Sequence, residues 1–123
     1  MSVLLDTNVF VDYLRGLPAA IAYIEGLAAQ PATSVITVAE LAAGAPGQRE
    51  EKRIEALLVR TTILAATTDI ARRAGTLKRL YSGSHGVGLA DALIAATAEQ
   101  HGLKLATLNV RHFPMFPRLK PAY

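Results

Sequence analysis

Four short runs, Val3–Leu5, Ala32–Val35, Thr61–Leu64 and Leu103–Thr107, recur along the chain with helical stretches between them. Strands alternating with helices predict a mainly parallel sheet with helices on both faces. The helical stretches are readable one by one. The first runs from about Asn8 to Arg15 and stops at Gly16. The second starts at Pro18, a residue suited to a first helical turn, and carries Ile21, Ile24 and Leu27 on one side. Thr37-Val38-Ala39-Glu40 has the form of a capping box ahead of a third helix. Gln48–Leu58 is amphipathic, with Ile54, Leu57 and Leu58 opposite its charges. Thr68 opens a helix through Leu80, Ser82–Gly88 reads as a flexible loop, and Leu89–Gln100 is apolar nearly all round, hence central. Val110–Phe113 is expected to form a helical turn, and Arg118-Leu119 a short fifth strand at an edge. The expectation is one α/β domain over residues 1–123, with four or five strands.

Composition narrows the classes. Of the 123 residues 51% are hydrophobic and mean hydropathy is +0.28, which excludes a disordered chain. No apolar run reaches the roughly 18–20 residues of a membrane span, and no basic segment precedes an apolar one as in a signal peptide. Absence of cysteine removes thiolate nucleophiles and Cys-ligated zinc and suits the cytoplasm. The net charge of +3 is unevenly spread. All ten acidic residues lie before position 101, whereas Lys104, Arg111, Arg118 and Lys120 follow it unopposed. That basic end is expected to meet phosphates.

Three acids stand apart from the charged surface. Asp6 follows the first strand at once, in Asp6-Thr7-Asn8. Glu40 precedes Leu41, and Asp91 lies in the first turn of the most apolar helix. Each has a local reading: Asp6 as helix N-cap, Glu40 as the far half of a capping box, Asp91 as an anion at a helix N-terminus. Ligand sites in open α/β sheets lie beyond the carboxyl ends of the strands, and the predicted topology brings all three acids to that edge. Converging carboxylates repel, and an oxygen-seeking divalent cation resolves the repulsion. Asn109, just past the last strand, adds a neutral oxygen or a hydrogen-bond donor.

The order Asp6-Thr7-Asn8, then Glu40 within Ser34–Leu41, then Asp91 within Leu89–Ala98, then Thr107-Leu108-Asn109-Val110-Arg111-His112-Phe113 resembles the PIN domains, and specifically the VapC toxins. The resemblance covers essentially the whole chain. It implies a three-layer α/β/α sandwich and a ribonuclease using Mg²⁺ or Mn²⁺, one or two ions per site. It implies that Asp6, Glu40 and Asp91 hold the metal, that Asn109 joins them in catalysis, and that RNA is cut to 5′-phosphate and 3′-hydroxyl ends. It further implies a VapB-type antitoxin as partner, a homodimer, and a heterotetramer or larger assembly with the antitoxin.

Thr7, Asn8, Thr107 and Arg111 are expected to line the substrate site. Leu14, Leu17, Ile21, Ile24 and Leu27 exceed what two short helices need for one sheet, so part of that surface is expected to seat the antitoxin. His85 is read as part of a mobile loop and His112 as structural. The chain departs from many PIN domains in one respect: no fourth carboxylate lies near Asn109. A PIN fold that binds RNA or antitoxin without cutting is therefore the alternative. A phosphatase built on Asp6 fits poorly, because Asn8 stands where a haloacid-dehalogenase-type site has a second Asp.

Overall fold

The computed structural model describes residues 2–123. In chain order the elements are β1 Val3–Leu5, α1 Thr7–Leu14, α2 Pro18–Glu25, β2 Ala32–Ser34, α3 Val35–Gly44, α4 Gln48–Leu58, β3 Thr62–Leu64, α5 Thr68–His85, α6 Leu89–His101 and β4 Lys104–Ala106. A single 3₁₀ turn, Val110–His112, follows β4.

The four strands form one parallel sheet in the order β3-β2-β1-β4. Successive side chains of a strand point to opposite faces. Leu4 and Leu105 accordingly enter the core under α5 and α6, with Ile70, Leu77, Ile94 and Phe113. Leu5 and Ala106 enter the other core, with Val9 and Phe10 of α1, Ile24 of α2, Leu41 of α3 and Leu57 and Leu58 of α4. The three layers expected from the sequence are present. The chain moves from β1 outward to β2 and β3, then returns to place β4 on the other side of β1. That reversal opens a crevice at the carboxyl ends of β1 and β4.

Four expectations are corrected. Val35 begins α3 rather than ending β2, because Ser34 caps the helix by accepting the Ile36 N–H at 3.0 Å. Thr37 therefore lies inside α3, and no capping box forms with Glu40. Ser82–His85 is helical; only Gly86-Val87-Gly88 joins α5 to α6, and Val87 is buried as the anchor of that turn. Arg118-Leu119 forms no strand. Pro117 and Pro121 flank it and lack the N–H groups a ladder needs. Of the five apolar residues expected to exceed the needs of the sheet, Ile24 is buried and Leu14 and Leu27 pack against the second core. Only Leu17 and Ile21 remain exposed.

Two glycines of this region should respond oppositely to alanine. Gly86 ends α5 at φ +63°, a left-handed conformation that costs an L-residue about 1–2 kcal/mol. Gly83 lies within the helix, where an added Cβ meets nothing within 4 Å. Urea denaturation should show Gly86→Ala destabilised by about 1 kcal/mol and Gly83→Ala stabilised by about 0.5–1 kcal/mol.

Candidate active site

Asp6 leaves β1 at the crevice and caps α1. It is only 4% exposed. Its Oδ1 accepts the Thr7 N–H at 2.8 Å, and its Oδ2 accepts the Thr107 hydroxyl at 2.7 Å. Burial pushes the Asp6 carboxyl above its ordinary value of 3.8; the bonds from Thr107 and Thr7 partly offset this, while Asp91 and Glu40 push it further up. Asp91 and Glu40 are therefore each near enough for Asp6 to feel their charge.

Thr107 is the hub of the crevice. Its hydroxyl donates to Asp6 and accepts the Asn109 N–H at 3.0 Å and Asn8 Nδ2 at 3.5 Å. One donor and two acceptor positions are all that a hydroxyl has. Asn8 also bridges to β4's exit, its Oδ1 accepting the Leu108 N–H at 3.4 Å. The Asn8 side chain thus ties α1 to the end of β4.

Glu40 approaches from α3. Its Oε1 accepts the Thr7 hydroxyl at 2.7 Å. Thr7 Oγ1 also lies 3.0 Å from Thr37 Oγ1. Because Thr7 spends its one hydroxyl proton on Glu40, Thr37 is the donor in that pair. The sequence reading missed Thr37 in this role. Its signal was helical spacing: Thr37 and Glu40, three apart, share a face of α3.

Asp91 sits in the first turn of α6 and is met by His112, with Nδ1 3.4 Å from Asp91 Oδ2. His112, expected to be structural, lies beside Asp91. Asn109 is exposed, and its side chain makes no hydrogen bond among the described residues; only its backbone N–H is engaged. Arg111 is exposed and forms no ion pair among the described residues; Glu99, on α6, pairs with Arg73 at 3.1 Å. Lys104 stands at the opposite end of β4, paired with Val3, and does not reach the crevice. His85 ends α5, its Nδ1 2.8 Å from Ser84 Oγ.

No three of the acidic or imidazole groups among the described residues are gathered closely enough to enclose an ion unaided. The donor set is nonetheless all carboxylate oxygen, and its buried member is held by neutral donors while neighbouring charges repel it. Such a set fits a hard cation that keeps much of its water, as Mg²⁺ does.

The family profile described as PIN domain matches residues 3–118. The chain belongs to the PIN-domain family. Its similarity is to the VapC branch: it is 44% identical to Ribonuclease VapC10 of Mycobacterium tuberculosis, over 98% of this chain and 92% of that protein. Among solved structures, a toxin–antitoxin complex from Klebsiella pneumoniae superposes with a TM-score of 0.85 at 34% identity, covering 99% of this chain and 98% of the other. The DNA-bound VapBC of Salmonella typhimurium superposes at 0.83 with 26% identity, covering 100% and 99%.

Proposed function

We infer that this chain is the toxin of a type II toxin–antitoxin pair and an endoribonuclease that hydrolyses RNA phosphodiester bonds. The observation that carries the reading is the 44% identity to a VapC ribonuclease along nearly the whole length of a chain that matches the PIN-domain profile over residues 3–118. Its partners on this reading are RNA, a VapB-type antitoxin and a second copy of itself, and its place is the cytoplasm.

Asp6, Glu40 and Asp91 are the residues that would hold Mg²⁺ or Mn²⁺. A bound ion of this kind neutralises the carboxylates, orients a phosphoryl oxygen and acidifies water. The protein's own residues do the positioning. Thr107 and the Thr7 N–H fix both oxygens of Asp6. The Thr37–Thr7 relay fixes Glu40. Among the described residues the Asn109 amide and the Arg111 guanidinium have no partner, which leaves the first at the rim for substrate and the second for phosphate. Asn8 adds two long hydrogen bonds between α1 and the end of β4.

The test is cleavage of a mixed cellular RNA by purified protein, with Mg²⁺, with Mn²⁺ and with EDTA, followed by end mapping. Cutting with either ion, none with EDTA, and none by Asp91→Asn is the expected result. RNA binding with no cleavage under any condition would favour the non-cutting module. Arg111→Gln should weaken binding of all RNAs alike and leave the cleavage position unchanged, since phosphate contacts position without reading sequence. The slope of log affinity against log salt should fall by about 0.7 for this one lost contact.

A further inference from the structure

Lys104, Arg118 and Lys120 do not join the acidic crevice. They line a groove of about 440 Å³ along the outer side of β4, over a floor that includes Leu105, Phe116 and Leu119. β4 is an edge strand. Lys104 N–H donates to the Ser2 carbonyl at 3.1 Å and the Ala106 carbonyl accepts the Asp6 N–H at 2.9 Å, so both residues turn their backbone toward β1. Alternation turns the backbone of Leu105 the other way, into the groove. Its neighbours on that side are satisfied: Leu103 N–H donates to Ala98 at 2.9 Å, and the Thr107 carbonyl accepts the Ala122 N–H at 3.0 Å. Nothing among the described residues reaches the N–H or the carbonyl of Leu105, although that residue is only 2% exposed. Buried backbone groups are nearly always paired, and an unpaired donor and acceptor on a strand edge are what an added strand takes up.

We propose that the groove between β4 and residues 116–122 takes an extended acidic segment of a protein partner as a fifth strand, its backbone pairing with Leu105 and its carboxylates meeting Lys104, Arg118 and Lys120. Charge selects the occupant. None of the three cations has an acidic partner among the described residues. A second copy of this chain would bring the same three cations against them. A single RNA strand would meet the cations but lacks the alternating N–H and carbonyl groups that match a strand edge. The groove runs along the side of the sheet, not across the strand ends that carry Asp6, so the proposal stands apart from the nuclease reading.

Calorimetric titration of the full chain with a capped hexapeptide alternating glutamate and valine tests it. Binding is expected, with slower hydrogen exchange at the Leu105 amide. Charge reversal, Lys104→Glu or Arg118→Glu, should weaken it about tenfold. Two further peptides, N-methylated at one or the other central amide, should differ, because only one of two successive amides faces β4 in a strand. Equal binding of both methylated peptides, or no binding of the parent peptide, overturns the proposal, and neither result depends on a variant folding. Stronger binding of oligouridylate, lost on the same charge reversals, would also overturn it and assign the groove to nucleic acid.

Discussion

On the proposed function, Asp6→Asn is expected to reduce RNA cleavage by roughly a thousandfold or more, because an ion that Asp6 would hold supplies several kcal/mol of transition-state charge stabilisation. The metal-free variant should melt no lower than the parent at neutral pH. It loses one good hydrogen bond, from Thr107, but also removes a buried charge that Asp91 and Glu40 repel. The pH dependence follows from the sign of the shift. The folded-state pKa is raised above the ordinary value of 3.8, chiefly by burial. The stability Asp6 contributes is then fully present below that ordinary value and lost as pH rises through the raised one. The melting temperature of the variant minus that of the parent should therefore increase from acid to neutral pH in the presence of EDTA. A difference that shrinks over that range would mean that the ionised carboxylate is stabilised where it sits, and that Asp6 is a structural cap.

Thr107→Val is the second large effect. The substitution keeps the shape and removes a hydroxyl that serves Asp6, Asn109 and Asn8 together. A buried carboxylate oxygen and a backbone N–H lose their partner, at about 1–3 kcal/mol for a group left unsatisfied. On the proposed function, cleavage should fall about 10–100-fold, the usual consequence of removing a group that orients a side chain that would hold an ion. Thr107→Ser retains the hydroxyl and should recover most of the cleavage. Denaturation curves and initial rates on one RNA measure both effects. Loss of stability without loss of rate would leave Thr107 as a packing residue only.

The acids of the site were legible because each is locally anomalous: a carboxylate directly after or among apolar residues has few ordinary reasons to be there. Their supporting hydroxyls were legible only in part. Thr7 and Thr107 were expected to line the substrate site, but their bonds to Glu40 and Asp6 depend on partners fixed by tertiary register, and Thr37 sits in a context where threonine is common. Thr107 meets Asp6 only because Leu5 pairs with Ala106 across the β1–β4 ladder. Helix limits failed where local chemistry competed with pattern. Ser34 and Thr37 both offered a cap, and the backbone took the earlier. The glycines after Ser82 suggested a loop, yet α5 packs along α6 and carries Gly83 within it, ending only where Gly86 adopts a positive φ. The edge strand expected at Arg118-Leu119 did not form, because the prolines on either side cannot donate to a ladder.

The hydrogen bond from Thr107 to Asp6 joins residues 101 apart in sequence. A chain emerging from the ribosome therefore exposes Asp6 and Glu40 well before the strand that fixes Asp6 has been made, and Asp91 only shortly ahead of it. Parallel pairing of such distant segments is also intrinsically slow, because a long loop must close first. Until β4 docks on β1, Asp6 lacks the Thr107 hydroxyl that fixes its Oδ2. On the proposed function, activity therefore begins only after the segment that carries β4 has left the tunnel and docked. For a protein whose substrate class is RNA, this order of assembly keeps the growing chain inert beside the largest body of RNA in the cell, the machine that is producing it.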